Sequence, residues 1–157
     1  MDEKKYYLTA KGFEKLKREA ETLRELKSAK INGEVPEILQ SEDLNPEYLS
    51  FQEDLSLLEA RMADLEYIIK NAQIIKTPEK NGQHIISLGA TVVTEVDGQT
   101  DEFEVVGSLE ANPAIGMISN ESPIGRALLG HKIGDEVVVS SPLKTTFKIK
   151  KITYRLS

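Results

Sequence analysis

The chain has 157 residues, 39% hydrophobic and 29% charged, with a formal net charge of −6, a composition typical of folded chains rather than disordered ones. It contains no cysteine, which excludes a disulfide framework, a thiolate metal site and a thiol nucleophile. No apolar run approaches the roughly 18 residues of a membrane span, and the opening MDEKKYYL lacks a signal-peptide core, so a cytoplasmic location is expected.

Tyr6-Tyr7-Leu8 makes a short apolar entry, and Thr9 follows as an N-cap residue. Phe13, Leu16, Ala20 and Leu23 then step by 3, 4 and 3, the heptad spacing of a helix that packs along one partner. Leu26 breaks that register, and the pattern fades by Lys30; a helix is predicted over 9–31. Asn32-Gly33 signals a turn, and Pro36 cannot sit inside a continuous helix. Residues 32–44 are read as a reversal, with a short helical turn at 36–40.

Asn45-Pro46-Glu47 opens a second helix: a favourable N-cap, a proline suited to the first helical position, and an acid near the positive end of the dipole. Phe51, Leu55, Leu58, Met62, Leu65, Ile69 and Ala72 alternate steps of 4 and 3 without a break. The helix predicted over 45–75 is about 46 Å long. Returning along the first, it makes an antiparallel coiled-coil hairpin, and its narrow apolar stripe suits an arm more than a globular core.

Charge is unevenly placed on this arm. Residues 1–30 carry nine Lys and Arg against six Asp and Glu, a net +3, whereas residues 31–60 carry eight acids and no base. The positive stretch (Lys11, Lys15, Lys17, Arg18, Arg24) falls off the apolar stripe and could touch phosphates. The overall negative charge argues against free binding to nucleic acid.

Residues 76–82, including Thr77-Pro78-Glu79-Lys80-Asn81-Gly82, read as a linker. After it the apolar period becomes two. Ala90–Val96 and Asp101–Val106 read as strands about an Asp97-Gly98 hairpin turn. A loop over 107–115 precedes a further strand at Gly116–Ser119. Pro123–Leu129 reads as a short helix capped by Ser122 and stopped by Gly130. Val137–Val139 and Thr145–Tyr154 complete the strands, with turns at 133–136 and at Pro142-Leu143. The fold class is α+β: residues 1–75 form the hairpin with an acidic tip near 41–47, and residues 83–157 form a small α+β domain.

Chemistry-bearing motifs are few. His84 and His131 lack metal-ligand spacing, and the glycines at 125 and 130 lack the Lys-Ser/Thr ending of a phosphate loop. The remaining candidates are Glu42, Asp43 and Glu47. Carboxylates are the oxygen ligands that hard ions such as Mg²⁺ prefer. Two adjacent acids do not make a tight site alone, but they can complete one inside a partner, where a metal can activate water against a phosphodiester. Solvated acidic turns with no such role are common.

The quoted motifs resemble a family. Leu8-Thr9-Ala10-Lys11-Gly12-Phe13-Glu14-Lys15-Leu16, Asn45-Pro46-Glu47-Tyr48, Asn71-Ala72-Gln73-Ile74-Ile75 and above all Ser122-Pro123-Ile124-Gly125-Arg126-Ala127-Leu128-Leu129-Gly130, with Gly134-Asp135-Glu136-Val137, resemble the bacterial Gre-type transcript cleavage factors of the GreA kind. The resemblance implies a coiled coil followed by an FKBP-like domain. That domain docks on RNA polymerase, with Ser122, Pro123, Ile124, Gly125 and Arg126 as partner-binding residues. The coiled coil enters the secondary channel, where the tip acids Asp43, Glu42 and Glu47 act. Asp43 and Glu42 share a Mg²⁺ with the polymerase, which cleaves the backtracked RNA 3′ end. The factor itself is then no enzyme, binds no cofactor when free, has no membrane partner and is a monomer.

The tip departs from the family pattern Asp-Leu-x-Glu-Asn-x-Glu-Tyr. Here it reads Asp43-Leu44-Asn45-Pro46-Glu47-Tyr48, shorter between Leu and Asn, with Leu44 where the second acid stands. An alternative is therefore a channel-binding factor that modulates or inhibits the polymerase without stimulating cleavage. A coiled-coil chaperone or prolyl isomerase is a third reading, disfavoured because Phe103, Phe147 and Tyr154 are few aromatics for a proline pocket.

Overall fold

The computed structural model describes residues 4–33, 46–140 and 143–155. They divide into two compact units, one of residues 13–71 and the other of residues 1–12 together with 72–157. The expected reversal over 32–44 falls mostly outside the described residues, as do the helical turn at 36–40, the N-cap Asn45 and Pro142.

Two long helices build the first unit: α1 (Ala10–Gly33), whose first residues belong to the other unit, and α2 (Pro46–Lys70). They run antiparallel, because cross-helix ion pairs join Glu19 to Arg61, Lys27 to Glu59 and Lys30 to Asp54. The apolar stripe is the face turned inward. Phe51, Leu55, Leu58, Met62 and Ile69 are half-buried, and Leu65, Ile68 and Ala20 are buried. Leu57, off the stripe, stays 70% exposed.

Both helix ends differ from the expectation. The first runs on to Gly33, past the predicted stop at 31. The second ends at Lys70 rather than Ile75. Asn71 Nδ2 donates to the Tyr67 carbonyl at 2.9 Å, occupying an acceptor of the last turn. The chain then leaves the helix as β2 (Ala72–Ile74), which pairs in parallel with β1 (Tyr6–Leu8). Ala72 thus extends the heptad arithmetic without belonging to the helix. The residues on either side of the helical pair are joined as neighbouring strands of the other unit.

The rest of that unit is a five-stranded sheet in the order β5-β4-β3-β7-β6. Its strands are β3 (Ala90–Val96), β4 (Gln99–Val106), β5 (Met117–Ser119), β6 (Glu136–Val139) and β7 (Thr145–Tyr154). All neighbours are antiparallel except β4 and β5. The β3–β4 turn is the one read from Asp97-Gly98: both residues have positive φ, 49° and 81°, as a two-residue hairpin with right-handed strand twist requires. One face is the core, with Ala90, Val92, Val105, Ile118, Val137, Val139 and Ile149 buried together with Ile86 and with Leu128 of α3 (Pro123–Leu128). Tyr154 is half-buried with its hydroxyl satisfied: it donates to the Ile85 carbonyl and accepts from the Ser87 N–H at 3.0 Å. The segment read as a linker contains a 3₁₀ turn, Lys80–Gly82.

Candidate functional site

α2 begins with Pro46, and Glu47 lies in its first turn with its side chain exposed. Of the three candidate tip acids it is the described one; Glu42 and Asp43 lie outside the described residues. Among the described residues no group of three or more His, Asp or Glu could hold a metal ion. Glu47 offers carboxylate oxygens of the kind Mg²⁺ takes, and one acid is too few for a site of its own.

Two of the acids that follow along α2 are used within the helix pair. Asp54 and Glu59 are engaged across the helix pair, by Lys30 Nζ at 3.4 Å and Lys27 Nζ at 3.2 Å. Their charge therefore belongs to the arm's construction. Farther along, Arg61 makes a two-bonded pair with Glu19, at 2.9 and 3.2 Å, which holds the guanidinium in its charged form. The basic residues Lys11, Lys15, Lys17, Arg18 and Arg24 are exposed; Lys17 and Arg24 stand 3.5 and 3.8 Å from Glu14 and Glu66.

Sequence reasoning passed over the positions that follow Leu23 on the stripe of α1. Continuing its steps by 4 and 3 lands on Lys27 and Lys30, both half-buried. Lys30 stands 5.1 Å from the centre of the Phe51 ring as well as beside Asp54. The signal was present as spacing, but it was carried by lysines where apolar residues were sought.

A second missed residue is Glu110, in the loop between β4 and β5. Its carboxylate accepts from the Thr9 N–H at 2.6 Å and from the Thr9 hydroxyl at 2.8 Å, and that hydroxyl accepts from the Gly12 N–H at 3.0 Å. Thr9 caps α1 as predicted, and Glu110 caps the cap. A Cβ on Gly12 would stand 2.5 Å from Glu110 Oε1, so glycine there makes room for the carboxylate.

The Ser122-Pro123-Ile124-Gly125-Arg126 stretch forms the start of α3. Ser122 Oγ accepts from the Gly125 N–H at 3.1 Å, and Pro123 occupies the first turn. Gly125 is buried, and a Cβ there would fall 1.9 Å from the Ser119 carbonyl oxygen. Ile124 packs on the core. Pro123 and Arg126 are exposed, and Arg126 Nε donates to the Glu121 carbonyl at 2.7 Å. His131 meets Asp135 at 3.1 Å in the turn that follows, and His84 is exposed.

A family model described as "Transcription elongation factor, N-terminal" matches residues 6–74, and one described as "Transcription elongation factor, GreA/GreB, C-term" matches residues 81–154. The chain belongs to the GreA/GreB family of transcription elongation factors.

This GreA/GreB-family factor is similar to transcription elongation factor GreA of Clostridium acetobutylicum, 41% identical over 145 residues that cover 89% of this chain and 90% of that one. It is 39% identical to GreA of Bacillus subtilis over 144 residues, covering 89% and 90%. Among solved structures it is similar to GreA factor homolog 1 of Thermus thermophilus, 30% identical over 96% of this chain and 99% of that chain, with a TM-score of 0.42. Family membership rests on the sequence matches. In the GreA/GreB-family factor the stretch with the strongest family resemblance, 122–130, contains residues whose roles within the unit are plain: a cap, a close backbone approach and a core side chain.

Proposed function

We propose that this factor binds bacterial RNA polymerase, inserts its coiled coil into the secondary channel and stimulates the polymerase's Mg²⁺-dependent cleavage of backtracked RNA 3′ ends. The observation that carries this reading is the antiparallel helix pair itself. Its helices of 24 and 25 residues, about 36 Å each at 1.5 Å per residue, lead to a connection bearing acids and no base. Such an element can deliver carboxylates into a confined site and has nothing in it that completes one. Asp43 and Glu42 would hold the shared metal, with Glu47 assisting from the first turn of α2. A Mg²⁺ held there would supply an activated water for attack on the phosphodiester. Exposed lysines and arginines of α1 would steady the RNA phosphates. Outside the channel, the second unit would grip the polymerase through the start of α3, where Pro123 and Arg126 are accessible and Ser122, Ile124 and Gly125 hold the turn in shape. The factor would act as a cytoplasmic monomer and hold no complete active site.

The test is to add the factor to backtracked polymerase complexes with Mg²⁺ and follow RNA shortening. Wild type is expected to shorten the RNA, Asp43→Ala to lose most of the effect, and Glu42→Ala to lose part of it. The shortened tip, with Leu44 in place of an acid, supports a second reading, channel binding that slows nucleotide addition without cleavage. Binding with no shortening, and slowing insensitive to Asp43→Ala, would establish that one instead.

A further inference from the structure

The seam between α1 and α2 changes character toward the acidic connection. Near its other end it is made of Leu16, Ala20, Leu65 and Ile68; at Lys30 it is made of an ammonium group. The side chain of Lys30 is only 15% exposed, although its partner Asp54 is 59% exposed. Its Nζ lies 3.4 Å from Asp54 Oδ2 and 5.1 Å from the Phe51 ring centre. A charge in a seam is costly to desolvate, and an aliphatic side chain of the same length would pack there without that cost. What the charge contributes is selectivity for one alignment. Sliding α2 by one heptad in one direction would set Lys30 against Leu58 and Arg61. Sliding it the other way would set Glu19, now paired with Arg61, against Asp54. The first slip is the one Lys30 itself opposes, by meeting Arg61, and an apolar residue at 30 would tolerate it; the second is opposed by Glu19 and Asp54.

Lys30 and Phe51 are also seam residues adjoining segment 34–45, which carries Glu42 and Asp43. We infer that Lys30 is a positioning residue: clamped between Phe51 and Asp54, it fixes the alignment of the two helix ends from which the acidic segment departs. This inference deepens the cleavage reading and rests on it for its functional half, while its structural half stands alone.

The two halves are tested together in the full-length chain. Because the chain has no cysteine, Ile31→Cys and Leu49→Cys, at sites 41% and 40% exposed, take a pair of spin labels cleanly. The label–label distance distribution is measured for Lys30 as found, for Lys30→Met and for Lys30→Arg. Cleavage by the unlabelled proteins is followed over a range of factor concentrations. Lys30→Met is expected to keep the melting temperature, widen the distance distribution and lower the saturating cleavage rate about tenfold, with the half-saturating concentration unchanged. Lys30→Arg is expected to restore both. A wild-type distance distribution in Lys30→Met overturns the inference. So does a wild-type saturating rate, or a loss confined to the half-saturating concentration. If Lys30→Met does not fold, Lys30→Gln is measured in its place by the same criteria. If wild type itself does not cleave, the cleavage reading fails, and the distance distribution alone decides for or against Lys30.

Discussion

At the scale of single residues, the strongest constraints are places where one atom more would collide. Gly125 is such a place: alanine there would drive a methyl group into the Ser119 carbonyl. Gly125→Ala is expected to destabilise the folded chain by about 2–3 kcal/mol, read as a lowered urea midpoint. Glu110 is a constraint of a different kind, because it bonds both the N–H and the hydroxyl of Thr9. Glu110→Ala should cost about 1–2 kcal/mol. Thr9→Ala on top of it should add less than it does alone, since the two share one network. Asp135 gives a pH signature. The Lys132 N–H and then His131 hold its carboxyl below the usual aspartate range. A carboxyl lowered in the folded state contributes stability that is full above the ordinary aspartate value and is lost as pH falls through the folded one. Asp135→Asn should therefore flatten the acid limb of melting temperature against pH and leave the neutral region nearly parallel to wild type. Ser122 and Thr9 were readable as caps from sequence because a cap is local. Glu110 was not, since its partner lies 101 positions away and no spacing rule spans that separation.

At the scale of elements, periodicity was a good guide wherever packing was one-sided. The helix faces and β7 lie where their alternation put them, because a single buried face leaves its period in the sequence. β3 was found by its β-branched run and its Asp97-Gly98 turn instead, since Ala90, Thr91, Val92 and Thr94 are all buried. The misreadings sit at ends. Ala72 kept the heptad count yet lies in a strand, for three-residue strands are too short to show a period, and pairing with Tyr6–Leu8 outweighed helix propagation. The seam at Lys27 and Lys30 was hidden because its residues are amphipathic and bury their stems while keeping the charge near a partner. The helix pair is held chiefly by its apolar stripe. Leu65→Ala, at a fully buried position, is expected to cost about 2–4 kcal/mol in urea unfolding followed by helix circular dichroism. Breaking the Glu19–Arg61 pair with Glu19→Gln should cost under about 1 kcal/mol, because both side chains are substantially exposed.

At the scale of the whole molecule, family and fold class were legible because the motifs are spread along the whole chain. The candidate site was legible as composition only: a run of acids says where negative charge is concentrated and nothing of which carboxylates meet. Asp54 and Glu59 show the difference, counted with that run and in fact neutralised across the helix pair. The pairing of β1 with β2 has its own consequence. It makes the second unit discontinuous, with its first strand supplied before the helical pair and all the others after it. During synthesis the strand at 6–8 leaves the ribosome long before its neighbour at 72–74 exists. The growing chain must therefore hold its earliest segment in waiting while both helices are made, because the strand that will receive it follows directly on α2.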